Sequence, residues 1–137
     1  MADKTTKEKA IYIGAPACFA LEMALQHVVE AFGGFSTGVG CYIVGSVLDK
    51  ADWRDVDVRL IMPDETFNQE FPEAGSQWEH NAKWLLLTVA ISDWLSKQTG
   101  LPIDFQFQPQ THANERFSGN RAAIGFKIKK AGTNDAQ

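Results

Sequence analysis

Cys41-Tyr-Ile-Val-Gly45-Ser46, followed by Asp55-Val-Asp57-Val-Arg59-Leu-Ile-Met62, is the stretch whose reading decides the fold. The first half is apolar up to Gly45-Ser46, as a short strand covered on both faces would be. The second half alternates strictly. Val56, Val58, Leu60 and Met62 fall on one side, and Asp55, Asp57 and Arg59 on the other. Pro63-Asp64 stops it. Val47–Arg54 is a short connection with room for one helical turn, so the two strands are expected to be antiparallel neighbours.

Outward from this pair, Gln77–Thr99 reads as the longest helix, ended by Gly100. Pro102–Gln108 reads as a third strand, stopped by Pro109. A strand, a long helix and a strand form a βαβ unit, so the second and third strands should run parallel. Upstream, Pro16–Phe32 reads as a helix. Proline suits its first turn, Gly33-Gly34 its end, and Leu21, Leu25, Val28, Val29 and Phe32 share one side. Phe67–Gly75 and Gln110–Arg121 read as loops. Ala122–Ile128 reads as a last strand, with Ile124, Phe126 and Ile128 on one face and Lys127 on the other. The expected architecture is α+β, with α/β-like character: a small mixed sheet with its helices packed on one face.

The chain has 137 residues, enough for one domain that buries roughly two-thirds of its unfolded surface. That domain is expected over residues 11–130, between polar tails at 1–10 and 131–137. Hydrophobic residues at 45% and charged residues at 22% are ordinary for a globular protein. The longest apolar run, Trp84 to Ile91, is too short to cross a bilayer, and Met1–Ala10 does not read as a signal peptide. The expected compartment is therefore the cytoplasm, with Cys18 and Cys41 reduced. A net charge of −4 and a pI near 5.3 disfavour a broad basic face for duplex nucleic acid. Nothing spaces His27, His80 and His112 as a zinc site. Trp78, Trp84 and Trp94 are expected to pack on the sheet or on a partner.

The acids are the informative residues. In the third strand Asp104, Gln106 and Gln108 share the face opposite Ile103, Phe105 and Phe107. If the apolar faces meet the helices, Asp55, Asp57 and Asp104 project together from the other side of the sheet. Parallel strands begin at the same edge, and Gly45-Ser46, at the end of the antiparallel first strand, arrives there too. Clustered carboxylates repel one another, and a divalent cation such as Mg²⁺ removes that conflict while keeping positions for water and phosphate. Backbone N–H groups of the Gly-Ser turn and the Ser46 hydroxyl can approach a phosphate. Such parts suit phosphoryl or nucleotidyl transfer.

Ile43-Val-Gly45-Ser46, Asp55-Val-Asp57-Val and the distant Ile-Asp104-Phe resemble the motifs of the nucleotidyltransferase superfamily of DNA polymerase beta. In size the chain is most similar to the minimal nucleotidyltransferases of bacteria and phages. The resemblance covers roughly residues 16–108. It implies a metal-dependent enzyme that moves NMP from an NTP to a hydroxyl acceptor by two-metal catalysis. Gly45 and Ser46 would bind the triphosphate, Asp55 and Asp57 the metals (Mg²⁺ or Mn²⁺), and Asp104 would help to activate the hydroxyl. The chain departs from the family in a short Ser46-to-Asp55 gap. It also has Val47-Leu48-Asp49-Lys50 where basic and glycine residues often follow the turn, and Arg54 in place of a small polar residue. These departures motivate an alternative: a catalytically degenerate module that binds a partner. A metal-dependent nuclease is a third reading, weakened because no lysine stands at the second position after Asp104. The acceptor, whether nucleic acid, protein or small molecule, is not legible, nor is the choice between a partner protein and a homo-oligomer. Lys50, Arg54, Arg59 and Lys127 are the nearest basic candidates for phosphate contact.

Overall fold

Helix α1, Ala15–Ala31, opens the part of the chain that the computed structural model describes, residues 11–117 and 119–125. Its first turn contains proline, and it buries Leu21, Ala24, Leu25, Val28 and Val29 along one side. Strand β1, Gly40–Val44, runs into a 3₁₀ turn at Gly45–Leu48. Strand β2, Val56–Met62, is followed by helix α2, Asp64–Glu70, and by a 3₁₀ turn at Trp78–His80. Helix α3, Ala82–Thr99, leads to strand β3, Ile103–Pro109, helix α4, Gln110–Phe117, and strand β4, Arg121–Ile124.

The sheet has four strands in the order β3-β2-β1-β4. β1 is antiparallel to β2 and to β4, and β2 is parallel to β3, as the βαβ reading requires. The molecule is thus α+β with a small mixed sheet. Val56, Val58, Leu60, Phe105 and Phe107 are fully buried and join the α1 stripe, Trp84 and Leu95 in the main core. Phe107 lies at its centre, with ring centroids 5.0 Å from Phe32, 5.1 Å from Phe71 and 5.0 Å from Phe105. Burying one such side chain stabilises the fold by about 1.5–3 kcal/mol. Cys41 belongs to this core, where burial pushes its thiol up, and both cysteines are free thiols.

Helix α3 also closes the outer edge of β3. Ser92 Oγ accepts from the Phe105 amide (2.9 Å) and donates to its carbonyl (3.3 Å). Ser96 Oγ accepts from the Ile103 amide at 3.2 Å, and the Trp84 indole donates to the Phe107 carbonyl at 3.1 Å. Asn81 caps this helix by accepting the Trp84 amide at 3.0 Å, and Gly100 ends it in the left-handed region at φ 76°.

Three expectations need correction. Pro63-Asp64 is a helix start as well as a strand end, so the first part of Phe67–Gly75, expected as loop, is helix up to Glu70. Asp64 and Glu65 in the first turn of α2 suit the positive helix N-terminus, and Phe67 and Phe71, one turn apart, pack at 5.1 Å. Gln110–Phe117 is a helix where the sequence reads as a polar loop, because it buries only Ala113 and so shows no apolar stripe. The helices are also not all on one face. Arg121, opposite Val44 on the face of Asp57, donates to Asn114 of α4 at 3.1 Å, and the charge of Arg116 acts on Arg59. Helix α4 therefore lies over the acid face, where Val44, Ile61 and Ala113 are buried outside the main core. The described part of the last strand ends at Ile124. Phe126, Lys127 and Ile128, and the tail assignments at 1–10 and 131–137, lie outside the described residues. No helix among the described residues is long and apolar enough to cross a membrane.

Candidate functional site

Asp57 and Asp104 stand opposite each other in the β2–β3 register, and Val44 stands opposite Asp57 in the β1–β2 register. Residues paired across neighbouring strands share a face, so the two carboxylates project side by side near the strand starts, and β1 delivers Gly45 to the same place. Gly45 has φ +83°, and a Cβ on it would collide with the Asp57 carboxylate. Glycine is therefore required twice over, by the backbone conformation and by the close approach. Ser46 follows in the same turn, half-buried.

Asp55 is exposed and lies just before β2. Its negative charge acts on Asp57, which places it in the neighbourhood of the pair. Among the described residues, no three His, Cys, Asp or Glu side chains gather into a ligand set. The sequence reading thus places five residues at one edge. The structure brings Asp57, Asp104 and Gly45 into direct proximity, with Ser46 in the adjoining turn and Asp55 at the rim.

The electrostatics are those of a constrained acid pair. Partial burial pushes the Asp57 carboxyl up, and the charges of Asp104 and Asp55 push in the same direction, while Arg59 opposes them. Arg59 projects from the same face, two residues along β2, and is 8% exposed. Its Nη1 donates to the carbonyls of Asp104 (2.8 Å) and Val58 (3.0 Å), and its Nη2 lies 3.6 Å from Asp104 Oδ2. Its Nε is buried without a hydrogen-bond partner among the described residues. The Gln106 amide adds a donor to Asp104 Oδ1 at 3.3 Å. Arg59 is therefore an internal counter-ion and not a free surface charge. Lys50 and Arg54 remain exposed.

A second cation was hidden by reading 110–121 as a loop. Arg121 opens β4 opposite Val44, with its guanidinium 4.7 Å over the Tyr42 ring. A signal for it existed: Arg121 has the same parity as Lys127, on the side of the strand away from Ile124. The histidines are dispersed, with His27 on α1, His80 in the 3₁₀ turn and His112 against the Trp78 ring at 4.8 Å. Trp78 and Trp84 are buried, whereas Trp94 is 40% exposed. No family model, no curated protein and no solved structure matches this chain.

Proposed function

We propose that the chain is a metal-dependent nucleotidyltransferase that moves NMP from an NTP to a hydroxyl acceptor. The observation that carries this reading is the in-register Asp57–Asp104 pair beside a glycine that no other residue can replace without collision. A carboxylate whose proton affinity is raised by burial and by the charge of the acid beside it, as that of Asp57 is, sits poorly in isolation and well around a divalent cation. The donors are hard oxygens, which suit Mg²⁺ or Mn²⁺. Asp57 and Asp104 would hold the ion, with Asp55 reaching it from the rim. When bound, it supplies positive charge to the phosphates and to the leaving pyrophosphate.

The chain's own residues have separate tasks in this reading. Gly45 leaves open the space in which a phosphate oxygen can approach the backbone, and Ser46 offers its hydroxyl as a donor. Asp104 accepts the proton of the attacking hydroxyl as the new phosphorus–oxygen bond forms and the bond to pyrophosphate breaks. Arg59 fixes the Asp104 backbone and limits the repulsion between the acids. NTP supply is consistent with work in the cytoplasm. The acceptor can be nucleic acid, protein or small molecule.

One observation favours a second reading. Arg59 already provides Asp104 with a cation, as a catalytically degenerate module for binding a partner would. Thermal unfolding with Mg²⁺ or Mn²⁺ and each NTP, on the parent and on Asp57→Asn, separates the two. The enzyme reading expects a metal-dependent rise in stability, about 2.7 kcal/mol at a hundredfold excess over Kd, that disappears in the variant. A folded parent that does not respond to any NTP supports the module instead.

A further inference from the structure

A single row of paired residues crosses all four strands: Asp104, Asp57, Val44 and Arg121. Paired residues share a face, so Arg121 emerges on the acid face, two strands from Asp57 and roughly 10 Å away. Val44, between them, is the residue from which the Gly45–Ser46 turn departs. Val47 and Leu48, which continue that turn, are buried, so this part of the turn presents no basic side chain.

Arg121 is held in place by neutral groups. Its Cζ stacks 4.7 Å from the Tyr42 ring centroid, and its Nη2 donates to Asn114 Oδ1 at 3.1 Å. Its Nη1 is buried and has no hydrogen-bond partner among the described residues. An aromatic face and a side-chain amide orient a guanidinium without cancelling its charge. A buried donor left without an acceptor is costly, which favours turning the guanidinium outward to an anion with several oxygens. The acid pair repels bare anions, so such a ligand must carry cations at one end and free phosphate oxygens at the other. A metal-bound nucleoside triphosphate has that polarity.

We infer that Arg121 binds the phosphate chain of the nucleotide where it passes the Gly45–Ser46 turn. The inference rests on the NTP reading above. β4 thereby supplies a cation beside the turn, where Val47 and Leu48 supply none.

Calorimetric titration of the parent, Arg121→Gln and Arg121→Lys with Mg²⁺–NTP, Mg²⁺–NDP and NMP tests it, together with Mn²⁺ alone. The expected result for Arg121→Gln is NTP binding weakened by about tenfold or more, the loss of one charge-assisted contact. Mn²⁺ and NMP binding should stay at parental values. Arg121→Lys keeps the charge without the planar pair of donors and should fall in between. It also serves as the test should the glutamine variant not fold. Arg121 variants that are folded and bind Mg²⁺–NTP as the parent does would overturn this inference and leave the NTP reading standing. A parent that binds Mn²⁺ but no NTP would remove both.

Discussion

The two faces of the sheet are built from the same alternating strands and have opposite relations to water. On the packed face Val56, Val58, Leu60, Phe105 and Phe107 meet α1 and α3 with complete burial. On the other face the same strands present Asp57, Arg59, Asp104 and Gln108. Helix α4 covers part of this face, and two of these residues, Arg59 and Gln108, end up buried, each with a polar atom unpaired among the described residues. One face is organised by dispersion and the exclusion of water, the other by charges that constrain one another. The packed face supports the fold, while the acid face concentrates local conflict.

The difference can be tested by breaking each face in turn. Phe107→Ala removes the ring at the centre of the packed face. A loss of about 3–5 kcal/mol is expected in denaturant unfolding, whatever the metal content of the buffer. Gly45→Ala places a methyl group against the Asp57 carboxylate in a left-handed backbone. It should destabilise by about 1–3 kcal/mol and also abolish any thermal response to Mg²⁺–NTP, which Phe107→Ala, where still folded, should retain.

Asp57→Asn should give the smallest effect and the opposite sign. Asp57 holds its proton more tightly folded than unfolded, chiefly through burial. The folded state is thus favoured at low pH, and that advantage is lost as pH rises from the ordinary carboxylate range through the raised folded value. At neutral pH without metal the asparagine variant should therefore melt above the parent, and the margin should close at low pH, where Asp57 of the parent is protonated both folded and unfolded. Thermal melts from acidic to neutral pH check this. A variant less stable than the parent throughout would show that the carboxylate supports the fold.

The packed face is the legible one. Alternation in Val56–Leu60 and Ile103–Phe107 identifies both strands, and the helix between them fixes their relative direction. The Asp57–Asp104 pairing follows because both residues lie one position into parallel strands. Asp55 is placed less well, since β2 begins at Val56 and leaves it outside the ladder. Apart from α2, which brings Phe67 and Phe71 to the main core, the misreadings concern the other face. Gln110–Phe117 buries one small residue, so its helical period has no apolar trace. Without that helix, Arg59 reads as an exposed charge and Arg121 as part of a loop. Their burial is a tertiary consequence of α4, and no local pattern encodes it.

The hydrogen bonds from Ser92, Ser96 and Trp84 to β3 give the sheet a direction of growth. An exposed strand edge is a template on which another chain can add itself. Here the Ile103 amide, both backbone groups of Phe105 and the Phe107 carbonyl are already engaged by side chains of the molecule's own helix. The β3 side thus works as an end-stop, built into the same α3 that joins β2 to β3. Any extension of this sheet by a foreign strand would have to begin at β4, beside the arginine and not beside the acids.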